Sequence, residues 1–117
     1  MTIQLKRIYD DASSDDGYRV LVDKLWPRGI SKDAANLDEW IKDIAPSDEL
    51  RKWFHSNRSE WGEFRNRYLS ELKKHKEALR DLASKASSEK VTLLYSSKDT
   101  EHNNAVVLKE YLEKLTL

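Results

Sequence analysis

The chain contains no cysteine, which excludes disulfides, thiolate metal sites and thiol nucleophiles and fits a reducing compartment. Proline and glycine are scarce, at two and three residues. The glycines stand far apart, at Gly17, Gly29 and Gly62, so no glycine-rich phosphate loop is present. No apolar run approaches the ~20 residues that cross a bilayer. Met1-Thr2-Ile3-Gln4-Leu5-Lys6-Arg7 also lacks the long apolar centre of a signal peptide. A cytoplasmic protein without membrane contact is expected. Charge of one sign is missing too: 21 Lys and Arg balance 21 Asp and Glu. No global field then draws the protein to nucleic acid or membrane, and only the local distribution of charge can matter.

What is present is enough for one core. A chain of 117 residues has the size of one domain, expected over 1–117. Its residues are 38% hydrophobic and 36% charged, polar for a globular protein, but the apolar ones cluster periodically, against disorder. Ile3 to Tyr9 reads as a short strand. Tyr18-Arg19-Val20-Leu21-Val22-Asp23 reads as a strand buried on both faces. It ends at Leu25-Trp26-Pro27-Arg28-Gly29, where proline removes a donor and glycine permits positive φ, so the chain turns. Asn36 and Glu39 form a capping-box pattern, with Leu37, Trp40, Ile41 and Ile44 at helical spacing behind it, which predicts a helix. Ser47 is placed to cap a second helix carrying Leu50, Trp53 and Phe54. Ser59 is placed to cap a third, the longest, with Trp61, Phe64, Tyr68 and Leu72 on one stripe and a continuation through Leu79 and Leu82. Val91-Thr92-Leu93-Leu94-Tyr95 is another buried strand. Asp99 or Thr100 then caps a last helix with Ala105, Leu108, Leu112 and Leu115 inward. The fold expected is a small α/β domain: about three mostly parallel strands flanked by four or so helices, in Rossmann-like layers. The direction of the first two strands relative to each other is open, because the short link suits a hairpin and is tight for a parallel crossover.

Two strand ends carry polar clusters: Asp23, Lys24, Trp26 and Arg28 after one, Ser96, Ser97, Lys98 and Asp99 after the other. Ligands of open α/β sheets bind outside the carboxyl ends of strands, so if these two strands are parallel neighbours the clusters meet in one crevice. Lys24, Arg28 and Lys98 supply positive charge, Ser96 and Ser97 hydroxyls, and the start of the last helix free amides, a set suited to phosphate or carboxylate. A small anionic, nucleotide-like ligand is the candidate partner. For chemistry, Asp23 and Asp99 are candidate acid and base, with Arg28 stabilising developing negative charge and hydrolysis or group transfer at a phosphate or glycosidic bond as the reaction class. Asn103, near the start of the last helix, is a further candidate contact. The plainer assignment makes these loop residues, one carboxylate orienting Arg28 and the other capping a helix. No cofactor is called for, and without HExxH or Cys/His patterns no metal site is expected.

A rival reading is a non-catalytic nucleic-acid- or protein-binding module using Trp26, Arg28, Arg51 and Arg58. The acidic residues Glu49, Glu60, Glu63 and Glu71 interleaved with the basic ones favour a salt-bridged surface over it. In the same way, Trp26 is placed either to stack on a base or sugar or to pack beneath its loop. A scaffold with no pocket is a third reading.

The stretch from Gly17 through Lys32, with Trp26-Pro27-Arg28-Gly29 at its centre, closely resembles the signature of the YeaO-like proteins, a subset of domain-of-unknown-function family 488. So do Trp40-Ile41-Lys42, Ala45-Pro46-Ser47, Leu50-Arg51-Lys52-Trp53-Phe54-His55 and Val91-Thr92-Leu93-Leu94-Tyr95. The resemblance spans nearly the whole chain and implies a small α/β fold without an assigned activity. Wider relatives carry a Val-Asp-Val-Arg type motif, which Val22-Asp23-Lys24 resembles with lysine in the arginine's place. They also carry a Cys-His-Arg run at the start of a late helix, a position held here by Asn103-Asn104-Ala105, so chemistry resting on that run does not transfer. The label of transcriptional regulator borne by some members finds no helix-turn-helix here.

Overall fold

The computed structural model describes residues 1–115. Its strands are β1 (Ile3–Arg7), β2 (Tyr18–Leu21), β3 (Glu39–Trp40) and β4 (Val91–Tyr95). Its helices are α1 (Lys32–Ala35), α2 (Asp48–Ser56), α3 (Trp61–Leu72), α4 (Lys76–Ser88) and α5 (Asn104–Leu115). The four strands form one sheet in the order β1-β4-β2-β3, with every neighbouring pair parallel. The α/β class and the parallel sheet are as the sequence predicts, with a fourth strand added. No helix among the described residues is long and apolar enough to cross a membrane.

Alternation along the strands assigns the two faces. Val20, Val22, Val91, Leu93 and Tyr95 point to the main core, which they share with apolar residues of α2, α3, α4 and α5. Leu21 and Leu94 point the other way, into a smaller cluster with Ile8 and Ala35, covered by Trp26, Ile30, Leu37 and Trp40. Four helices thus cover one face, while a one-turn helix and loops cover the other. The burial of all five β4 residues, apolar except Thr92, follows from its place between β1 and β2 with both faces covered.

The first two strands are neither a hairpin nor neighbours. Both run parallel to β4, which lies between them. The ten residues 8–17 can span up to about 33 Å, enough to return along a five-residue strand without a crossover helix. They are shaped by a 3-10 turn, Ser14–Asp16, capped by Ser13, and by Gly17 at φ 64°. A Cβ on Gly17 would lie 2.3 Å from the Lys90 carbonyl oxygen, so both the dihedral and the close approach require glycine here. Beside it, the Asp16 carboxylate, 1% exposed, accepts from Arg19 Nη1 at 2.5 Å, Lys6 Nζ at 3.1 Å and the Ser13 amide at 3.0 Å. Arg19 in turn donates to the Asn36 and Ala35 carbonyls. This buried cluster ties β1, β2 and the end of α1 together.

Four local expectations are corrected. Asn36 does not start a helix; it ends α1 in the left-handed conformation, φ 48°, which asparagine tolerates. The chain then extends into β3, and the apolar positions at helical spacing divide between cores: Trp40 joins the smaller cluster and Ile44 the main one. Ser59 does not cap α3, whose first turn follows Glu60 with no side-chain cap. The helical stripe from Trp61 to Leu82 is two helices, broken at Lys73-Lys74-His75, and α4 with 13 residues is longer than α3 with 12. The last helix starts at Asn104, later than expected.

Candidate functional site

Because β2 and β4 are parallel neighbours, their C-terminal extensions emerge side by side, and the condition for a shared crevice is met. An open pocket of about 760 Å³ lies there, within the range of small-molecule sites. All nine residues singled out from the sequence border it: Asp23, Lys24, Trp26, Arg28, Ser96, Ser97, Lys98, Asp99 and Asn103. The structure adds a wall that the sequence did not assign to this place. Arg51, Phe54 and His55 of α2, Arg58 just beyond it, and Phe64 of α3 close the helix side. Their signal was available in part, since Arg51, His55 and Arg58 recur at i, i+4 and i+7; that this face meets the strand ends is a tertiary fact.

The nine differ in what they already do. Asp23 is a junction: its Oδ2 accepts from the Ser96 amide at 2.9 Å and the Ser96 hydroxyl at 2.7 Å, and its Oδ1 from Asn104 Nδ2 at 3.0 Å. Asp99 shapes the turn before α5, accepting from the amides of Glu101 and His102, both at 2.9 Å. These two bonds hold its carboxyl below the usual carboxylate range. The Ser97 hydroxyl accepts from the Asp99 amide. Asn103 is buried and accepts from the Val106 amide at 3.1 Å, capping α5. The amides expected to be free at this helix start are therefore partly taken. Trp26 donates its indole N–H to the Ile30 carbonyl at 2.7 Å and meets Trp40 edge-on at 5.3 Å, so it is packed beneath its own loop. Arg7 fixes the other loop from behind, donating to the Ser96 and Ser97 carbonyls.

The cations are less committed. Arg28 is exposed; its carbonyl accepts from the Tyr9 hydroxyl, and among the described residues neither its guanidinium nor the Lys98 ammonium has an ion-pair partner. Lys24 lies 3.8 Å from Asp48 and Arg58 3.9 Å from Asp99, long contacts at partly exposed groups. Arg51 reaches Asp48 at 3.4 Å, while its buried Nε has no partner among the described residues. The lining thus holds five Lys and Arg against two Asp, in a chain whose charges balance as a whole. By contrast, Arg65 pairs with Glu110 and Arg67 with Glu63, so these two arginines belong to a salt-bridged surface.

A family model described as the inactive DUF488-N3 subclade matches residues 2–116. The chain belongs to that subclade. It is 51% identical over 115 residues to the uncharacterised protein YeaO of Escherichia coli, covering 98% of this chain and all of that one. It is 39% identical over 110 residues to the uncharacterised protein Rv3073c of Mycobacterium tuberculosis, covering 94% and 92%. The resemblance to the YeaO-like proteins read from the motifs is therefore a family relationship. No solved structure matches the chain. At the place where the wider relatives' Cys-His-Arg run is expected, Asn104 holds Asp23 and the Val22 carbonyl. The position is built into the scaffold of the loop.

Proposed function

We propose that the protein binds a small anionic ligand, nucleotide- or phosphate-like, at the C-terminal ends of β2 and β4, and does so without turning it over. The carrying observation is the concentration of five Lys and Arg around one pocket whose two carboxylates are already engaged by the protein's own donors. Arg28 and Lys98 are open to a ligand, and the partly exposed Arg51 guanidinium is held only by a long 3.4 Å contact to the exposed Asp48. Arginine's planar fork makes Arg28 and Arg51 the main anion contacts.

Binding is favoured over hydrolysis or group transfer. A general acid near neutral pH needs a raised carboxyl pKa, and the Asp99 carboxyl is lowered. Asp23 accepts three hydrogen bonds that join two loops and α5, a positioning duty. The description of the subclade as inactive agrees. A nucleic-acid- or protein-binding surface built on Trp26, Arg28, Arg51 and Arg58 is less favoured, since Trp26 is tied beneath its loop and the three arginines line a concavity. The reading includes a cytosolic location, carried over from the cysteine-free composition.

The test is titration calorimetry and thermal unfolding with inorganic phosphate against chloride at matched ionic strength, on the wild type, Arg28→Ala and Arg51→Ala. Saturable binding that weakens at least ten-fold in each variant is expected. At 100 times its dissociation constant, a ligand adds about 2.7 kcal/mol of stability, seen as a higher Tm. Absence of saturation with phosphate, alongside oligonucleotide binding that falls steeply with salt, would replace this reading with the nucleic-acid one.

A further inference from the structure

The pocket has a second chemical character that a bare oxyanion does not use. Among the described residues, the large hydrophobic side chains left exposed are Met1, Tyr9 and Leu25, at 45%, 42% and 57%. Two of these three, Tyr9 and Leu25, border the pocket. They stand on the strand-end side, in the loops that follow β1 and β2. An exposed leucine and tyrosine gathered at one concavity have a use when something apolar covers them.

On the helix side the pocket presents two planar groups backed by rings, the Arg58 guanidinium and the His102 imidazole. The Arg58 guanidinium lies 4.7 Å from the centre of the Phe54 ring, and Phe54 is stacked on Phe64 at 4.2 Å and 19°. His102 is stacked on Trp61 at 4.8 Å and 25°. Asp99 lies 3.9 Å from both Arg58 and His102, so one carboxylate steadies both planar groups. Both line the pocket and both are half-exposed. A planar group supported from behind by an aromatic ring offers a preorganised face for a further ring, through stacking at both groups and cation–π attraction at Arg58.

Resting on the anion-binding reading above, we infer that the ligand carries a flat unsaturated ring beside its anionic group. Arg28, Lys98 and Arg51 take the anion. The Arg58 and His102 faces take the ring, with Leu25 and Tyr9 covering it from the strand side. The volume of about 760 Å³ exceeds what a lone oxyanion occupies. A sugar phosphate of the same size would set some of its hydroxyls against Leu25, Pro46, Phe54 and Phe64, whose side chains offer no hydrogen bond. An aryl or heteroaryl phosphate meets both halves of the pocket.

The experiment compares four probes by calorimetry at constant ionic strength: inorganic phosphate, glucose 6-phosphate, n-hexyl phosphate and phenyl phosphate. The proteins are the wild type, Leu25→Ser, Arg58→Ala and Arg28→Ala. Phenyl phosphate is expected to bind at least ten-fold more tightly than glucose 6-phosphate and more tightly than hexyl phosphate. Leu25→Ser should remove about five-fold of that preference while leaving inorganic phosphate within two-fold; Arg58→Ala, which also removes one of the pocket's cations, should weaken phenyl phosphate about five-fold more than it weakens inorganic phosphate; Arg28→Ala should weaken every probe. Equal binding of all organic phosphates, or hexyl equal to phenyl, overturns the ring inference and leaves the anion reading in place. A phenyl preference unmoved by Leu25→Ser and Arg58→Ala overturns its location. Failure of all four probes to bind overturns both readings.

Discussion

The Asp23 carboxylate and Ser96 meet across the gap between β2 and β4: one carboxylate oxygen takes both the Ser96 amide, at 2.9 Å, and the Ser96 hydroxyl, at 2.7 Å. With Asn104 on the other oxygen, three segments that build the pocket share one acceptor. Removing it leaves three donors without their partner. Hydrogen bonds to a charged group contribute about 1.5–3 kcal/mol each in net terms, with strong non-additivity within a network. Asp23→Ala should therefore lower stability by about 2–3 kcal/mol and the melting temperature by roughly 6–12 °C. Ser96→Ala, which keeps the amide bond, should cost about 1 kcal/mol. Thermal unfolding checks this; an Asp23→Ala protein melting at the wild-type temperature would refute the positioning duty.

Acid stability should hinge on Asp16. Burial alone would raise its carboxyl pKa, but hydrogen bonds from the Ser13 amide, Lys6 and Arg19, with the Lys6 charge, more than offset this and lower it to about 2. A carboxyl whose folded pKa lies below its unfolded value, about 3.9, stabilises the fold above the unfolded value. That stability is lost as pH falls from about 4 to about 2, an amount on the order of 2 kcal/mol. Urea unfolding at pH 6, 4 and 2.5 should show the decline, and Asp16→Asn should flatten it.

Base should find the tyrosines. Burial, with the charges of Asp23 and Glu71 adding to it, raises Tyr68 well above the ordinary phenol range. Tyr18 is pushed up to about 12, chiefly by its hydrogen bond to Glu39. Burial, chiefly, also raises Tyr95. Phenols protonated when folded and ionised when unfolded draw the equilibrium toward the unfolded chain, so stability should fall as pH rises through about 10. Absorbance at alkaline pH should show these three ionising together with loss of far-UV structure. Tyr68→Phe, which leaves the Ile44 carbonyl without its 2.5 Å donor, should cost about 1–3 kcal/mol at neutral pH.

Gly17 admits no side chain. At φ 64° and ψ −131°, with Lys90 backbone 2.3 Å from a would-be Cβ, Gly17→Ala should lose roughly 2–4 kcal/mol. Gly62, where a Cβ would meet nothing within 4 Å on the helical α3, should gain a few tenths to 1 kcal/mol from the same change. Chemical denaturation of the two variants against wild type reads both signs.

The uneven legibility of the sequence has physical causes. β4 was readable because a short run, apolar but for Thr92 and bounded by polar residues, suits a strand covered on both faces, and α2 because Ser47 does cap it, accepting from Leu50. β3 was not, because Leu37, Trp40, Ile41 and Ile44 match a helical stripe by spacing while serving two cores on opposite sides of the sheet. What decided it was Asn36 turning left-handed, a choice that no spacing announces. The strand-end half of the pocket was legible since turn chemistry marks where strands stop. Its helix half was not, since Arg51 and Phe54 reach it through the packing of α2 on α3.

The position of β4 also governs how the molecule can come into being. β1 pairs with β4 alone, some ninety residues further along the chain, as the Arg7–Ser97 contact marks. During synthesis the amino-terminal strand emerges first and is paired last, so an intermediate ending before Val91 carries an unfilled slot between β1 and β2. Such high contact order slows folding and leaves two strand edges facing the missing one, open to pairing with another copy of the chain. Arg7, at the end of β1, meets its Ser96 and Ser97 partners only once the central strand has arrived, and until then its charge disfavours pairing of that edge with another copy.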